Sequence, residues 1–111
     1  MSSTAPFVLD ETQPWQPAGQ GVRRKILGYC DELMTVRFAF ETGGVGALHQ
    51  HPHLQTSVVT SGVFDVTISG VTQRLRPGDC YIVPSNAVHG AVCIEAGELI
   101  DSFTPMRKDF L

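Results

Sequence analysis

Period-two alternation of apolar and polar residues returns along almost the whole chain, whereas the 3.6-residue spacing of an amphipathic helix is almost absent. In "LMTVRFAF" the residues Met34, Val36, Phe38 and Phe40 share one face of an extended chain, and in "GVFDVTIS" Phe64, Val66 and Ile68 stand opposite Val63, Asp65 and Thr67. "VRRKIL" reads as a further strand, with Arg23, Arg24 and Lys25 expected on a solvated edge or an oligomer contact. Short apolar runs follow at "QTSVVTS", "CYIVP", "AVHGAVC" and "GELIDSF", set apart by the turn signals "SGV", "RPGD", "PSN" and "EAG". Many short strands in a chain of 111 residues predict a single all-β domain, a sandwich or small barrel with one modest core. The polar, proline-bearing residues 1–21 are expected to form an N-terminal arm and residues 22–111 the domain, with "PMRKDFL" as a terminal turn or short helix.

A formal net charge of -3 with few basic residues excludes a nucleic-acid partner. The N-terminal stretch has neither the apolar core of a signal peptide nor a membrane span, so a cytoplasmic protein with no membrane partner is expected. Cys30, Cys80 and Cys93 are odd in number and lack paired spacing, which predicts reduced thiols, each a small core residue.

Three of the four histidines crowd into "HQHPHLQ", residues 49–55. In an extended chain residues i and i+2 point to the same side, so His49 and His51 present two imidazoles to one point, with Gln55 as a further oxygen donor. Pro52 interrupts the strand before His53, which is expected beside the ligands or on the surface. His89 follows in "PGDCYIVPSNAVHGAVC". Together Gly46, His49, His51, Gln55 and Gly62, then Gly78, Pro84, Asn86 and His89, closely resemble the two signature motifs of the cupin superfamily. That resemblance implies a small β-barrel, a double-stranded jelly roll, with one divalent transition metal on His49, His51, Gln55 and His89. Cupins usually carry glutamate where Gln55 stands and glycine where Asn86 stands; asparagine tolerates the positive φ such a turn requires. Neutral imidazoles and a neutral amide would leave the ion's charge uncompensated, a natural seat for an anionic substrate. In the alternative, Gln55 only hydrogen-bonds inside a metal-free barrel.

Near the C-terminus, alternation puts Leu99, Asp101 and Phe103 on one face. An inward carboxylate is desolvated and its pKa rises toward general acid or base duty, unless a turn or ion pair satisfies it. Arg107 is close enough to pair with Asp101 or to take a substrate carboxylate. Asp10, Asp31, Asp65, Asp79 and Asp109 read as ordinary surface or turn carboxylates. From about Gly21 to Leu111 the chain resembles the pectin-degradation cupins of the KdgF type, which linearise unsaturated uronates released by pectin and alginate lyases. The resemblance implies Asp101 as the catalytic carboxylate, Phe103 and Arg107 as substrate contacts, a small anionic sugar as substrate, and a homodimer. The family usually has glutamate where Leu54 stands, beside a ligand position. Nickel, zinc, iron and manganese all suit the donor set. Cys93 shares a face with His89 in a regular strand and is expected to be core. A metal-dependent cupin oxygenase and a non-catalytic sugar-binding sensor are the competing functions.

Overall fold

In the computed structural model, which describes residues 3–111, the alternation becomes eight antiparallel strands: β1 (Gln16–Pro17), β2 (Val22–Cys30), β3 (Leu33–Phe40), β4 (Val45–His49), β5 (Leu54–Ile68), β6 (Val71–Leu75), β7 (Cys80–Val83) and β8 (His89–Thr104). The strands form one eight-stranded sheet in the order β1-β2-β3-β8-β5-β6, with β4 on β8 and β7 on β5, and the helical content among the described residues is two single 3-10 turns, Asp10–Thr12 and Lys108–Phe110. Among the described residues no helix is long and apolar enough to cross a membrane.

Two of the strands are longer than the sequence signals imply. "QTSVVTS" and "GVFDVTIS" form one strand, β5, and "AVHGAVC" and "GELIDSF" form another, β8. They pair from Leu54–Thr104 to Ile68–His89, with the register slipping between Val59 and Phe64. Gly62, at φ 78°, and Gly97 are the reason. A Cβ on Gly97 would collide with the Ser61 carbonyl oxygen, and one on Gly62 would stand 2.7 Å from the Ala96 oxygen. Glycine here bends two paired strands together rather than reversing them, which is the work of a bulge and not a turn. Beyond the bend β8 pairs with β3 through Phe103–Met34; before it, β8 pairs with β4 through His49–His89. Likewise β5 pairs with β7 in its first half and with β6 in its second. The Ser69–Gly70 hairpin, the Arg76–Asp79 turn and the turn at Asn86, with φ 63°, are true reversals.

Inward residues of these strands make two apolar clusters. Phe64, Val59, Leu99 and Phe40 lie in one, and Met34, Val36, Phe103 and Met106 in the other. Each such buried side chain contributes roughly 1.5–3 kcal/mol relative to exposure. Cys93 belongs to the first cluster and donates its thiol to the Glu95 carbonyl; Cys30 and Cys80, expected in the core, are exposed because they lie at strand ends.

The run Arg23–Arg24–Lys25, expected to be solvated, differs from expectation. β1 pairs with Arg23–Arg24 of β2, and the Asp10 carboxylate receives hydrogen bonds from Lys25 (3.2 Å) and Arg37 (2.8 Å). Lys25 is buried against the Trp15 ring rather than solvated, and Arg23 stacks on the same ring. The aromatic face covers the lysine stem while its ammonium keeps a carboxylate partner.

Gly97→Ala should lower the free energy of unfolding by about 2–4 kcal/mol, the range of severe overpacking. A urea midpoint equal to that of the wild type would contradict the shared bend.

Candidate metal and catalytic site

Between the two apolar clusters lies a cavity of about 360 Å³, lined among others by His49, Gln55, His89, Asp101, Phe103 and Arg107. β4 carries His49 at its end and β8 carries His89 at its start, paired with one another across the ladder. The loop after β4 places His51 beside them: ring centroids are 5.5 Å apart for His49 and His51, 4.3 Å for His49 and His89, and 4.8 Å for His51 and His89.

Their hydrogen bonds fix which nitrogen is free. His49 Nδ1 lies 2.9 Å from the Ala47 oxygen, His51 Nδ1 3.0 Å from the His53 oxygen, and His89 Nδ1 2.9 Å from the Ala87 oxygen. Each ring therefore donates Nδ1–H to a main-chain carbonyl and turns an unprotonated Nε2 inward, the arrangement that metal-binding imidazoles favour. One ligand atom from each ring lies within 4.8 Å of the others. Burial pushes His89 down to about 4, and it lowers His51 as well, with the Arg107 charge as the next cause. Both rings are thus neutral at ordinary pH, as ligands must be.

Gln55 lies against this imidazole cluster. Its Nε2 donates to Ser57 Oγ at 2.9 Å and to Asp101 Oδ2 at 3.2 Å, which directs its Oε1 to His51 Nε2 at 3.0 Å. Two acceptors therefore face each other, and the His89 Nε2 is buried with no partner among the described residues. A cation between them resolves both conflicts, so the residues present fit a metal ion. His53 stands outside this set: its carbonyl orients His51 while its own ring packs 5.5 Å from the His51 ring. Cys93, with its sulfur on Glu95, is not one of the clustered ligand atoms.

Asp101 faces the same cavity from β8, across from Ser57 on β5. Burial raises its pKa to about 7, opposed by the Ser57 hydroxyl and the Arg107 charge. Its Oδ2 is held by Gln55, and its Oδ1 is buried without a partner among the described residues. Tyr81 lines the wall beside it, and burial together with the Asp101 charge raises that phenol above its ordinary range.

Arg107 does not pair with Asp101. Its Nε and Nη2 form a fork on Asp109, at 3.0 and 2.8 Å, because the chain turns after Met106 and brings the residue two positions on within reach. Asp109, expected as an ordinary surface carboxylate, is thus part of the cavity wall. Alternation offered signals for the residues not singled out in the sequence. Ser57 follows Gln55 at i+2, and Arg24 lies between Val22 and Ile26 on the inward face of β2.

Comparison with known proteins gives concordant matches. Residues 36–102 match the family model described as "Cupin domain". The chain is 41% identical over 107 residues to the pectin degradation protein KdgF of Dickeya dadantii, spanning 95% of this chain and 97% of that one. An RmlC-like cupin from Shewanella frigidimarina superposes with a TM-score of 0.96 at 40% identity over the full length of both chains. KdgF from Halomonas sp. superposes with a TM-score of 0.91 at 39% identity, covering 97% of this chain and all of that one.

Replacing His51 or His89 by Ala should weaken cobalt(II) binding, followed by its visible absorption, by at least about tenfold. Equal affinity in both variants would mean that the imidazole cluster is not where the ion binds.

Proposed function

Because the chain belongs to the cupin family, and within it to the KdgF family of pectin degradation proteins, we propose that it converts cyclic 4,5-unsaturated uronate monosaccharides to linear 4-deoxy-5-keto uronates. The observation that carries this reading is the Gln55 amide, which touches the imidazole cluster with its oxygen and the buried Asp101 carboxylate with its nitrogen. An acid–base group and a metal-type donor set therefore share one cavity.

Residues His49, His51 and His89 and the Gln55 oxygen would hold a divalent ion, which would supply a Lewis-acid seat for substrate oxygens and stabilise negative charge. Nickel, zinc, iron and manganese suit this donor set alike.

The substrate ring carries a double bond between carbons 4 and 5 and a hemiacetal at carbon 1. Asp101 takes the proton of the carbon-1 hydroxyl, with its unpartnered Oδ1 as the available acceptor. The bond from carbon 1 to the ring oxygen breaks, leaving an aldehyde at carbon 1 and an enolate across carbons 4 and 5. Asp101 returns the proton to carbon 4, and carbon 5 becomes a ketone. One proton moves, one bond breaks, and no electron is gained or lost. Phe103, on the cavity wall, offers an apolar face to the sugar, and Arg107 adds positive charge near its carboxylate. The three free thiols accord with a reducing cytoplasmic setting, and the family resemblance supports a homodimer.

The double bond is conjugated to the carboxylate, so ultraviolet absorbance reports its loss. The wild type should accelerate that loss for pectin-derived or alginate-derived monomers, and a chelator should abolish the gain. Asp101→Asn should lower kcat by at least about a hundredfold with its melting temperature retained. Normal turnover by Asp101→Asn would exclude this mechanism.

A further inference from the structure

The cavity contains a second guanidinium that the proposed reaction does not use. Arg24 projects from β2 into the wall that also holds Arg107, Asp109 and Phe110. Its Cζ lies 3.8 Å from the centre of the Phe110 ring, and that of Arg107 lies 4.2 Å from the same ring. The two differ in what already occupies them. Arg107 commits its Nε and Nη2 to Asp109, whereas Arg24 spends only its Nε, on the neutral Gln16 Oε1 at 3.2 Å. Among the described residues Arg24 has no carboxylate within ion-pair distance, while Lys25, Arg74 and Arg107 each have one and Arg37 has two.

A guanidinium held on a ring face and by one hydrogen bond keeps its two terminal nitrogens side by side and free, which is the geometry that takes a carboxylate bidentately. We propose that Arg24, oriented by Gln16 and Phe110, is the residue that binds the carboxylate of a uronate substrate and so selects charged sugars over neutral ones. The neighbouring charges agree with this role. Arg24 and Arg107 together outweigh the single Asp109 carboxylate, so this end of the cavity is positive. Burial and the Arg107 charge lower the Arg24 pKa, opposed by the Asp109 carboxylate. Arg107 then acts through its charge and its fork on Asp109, which holds the C-terminal turn against the cavity. Strand β1, which carries Gln16, thereby becomes part of the site.

This inference rests on the uronate reading of the cavity, and binding can be read apart from turnover. Galacturonate and galactose differ only in the carboxylate, so calorimetric titration of the metal-loaded wild type should show galacturonate binding at least tenfold tighter. Arg24→Gln should reduce that preference at least about fivefold with an unchanged melting temperature, the remainder coming from Arg107 and the ion, and Arg24→Lys, which keeps charge but not the fork, should restore part of it. Gln16→Ala should weaken galacturonate binding by less than Arg24→Gln does. Unchanged galacturonate affinity in Arg24→Gln, or a wild type indifferent between the two sugars, would overturn the assignment. A wild type that binds galacturonate through Arg24 yet leaves the unsaturated chromophore intact would remove the proposed reaction and leave the carboxylate seat standing.

Discussion

Two strands, β5 and β8, are each long enough to run from one half of the barrel into the other, and they stay paired only because Gly62 and Gly97 let both backbones bend at the same level. From that bend the site follows. Before it β8 carries His89, beyond it Asp101, and the first half of β5 supplies Gln55 and Ser57 opposite Phe103 and Asp101. A break at the glycines would separate the imidazole cluster from the carboxylate. The bend therefore fixes the distance over which the Gln55 amide can touch both.

The electrostatics of the cavity follow from what its walls leave unsatisfied. Each inward imidazole spends its Nδ1 on a carbonyl, and for His51 and His89 burial also penalises a second proton. The Gln55 amide adds an oxygen without adding charge. A cation held there would keep its full charge, which suits an anionic sugar better than a glutamate at the same position would. The guanidinium groups of Arg24 and Arg107 continue the positive field toward the C-terminal turn, and the Phe110 ring in contact with both offers its electron-rich faces.

Much of this was legible in the residues themselves. Extended spacing makes His49 and His51 neighbours, and it puts Asp101 between Leu99 and Phe103, all three of which are buried. The positive φ at Asn86 is the conformation expected of an asparagine replacing glycine. What escaped was whatever depends on two strands at once. A glycine inside an apolar run looks the same whether the chain reverses or bulges, so β5 and β8 were read as four strands. Arg24 was grouped with Arg23 and Lys25 as a solvated run although it alternates with Val22 and Ile26, and for Lys25 nothing local reveals that Trp15 folds over it. The fork from Arg107 to Asp109 needed the path of the C-terminal turn, which spacing alone does not contain.

The central claim is that Asp101, fixed by Gln55 on one side of the cavity, returns a proton to carbon 4 of the sugar. Running the reaction in heavy water and reading the product by proton NMR before its ketone exchanges tests this most directly. A single fixed face should receive the proton, so one of the two carbon-4 positions should carry the deuterium. Equal labelling of both positions, at the rate seen without protein, would contradict the account.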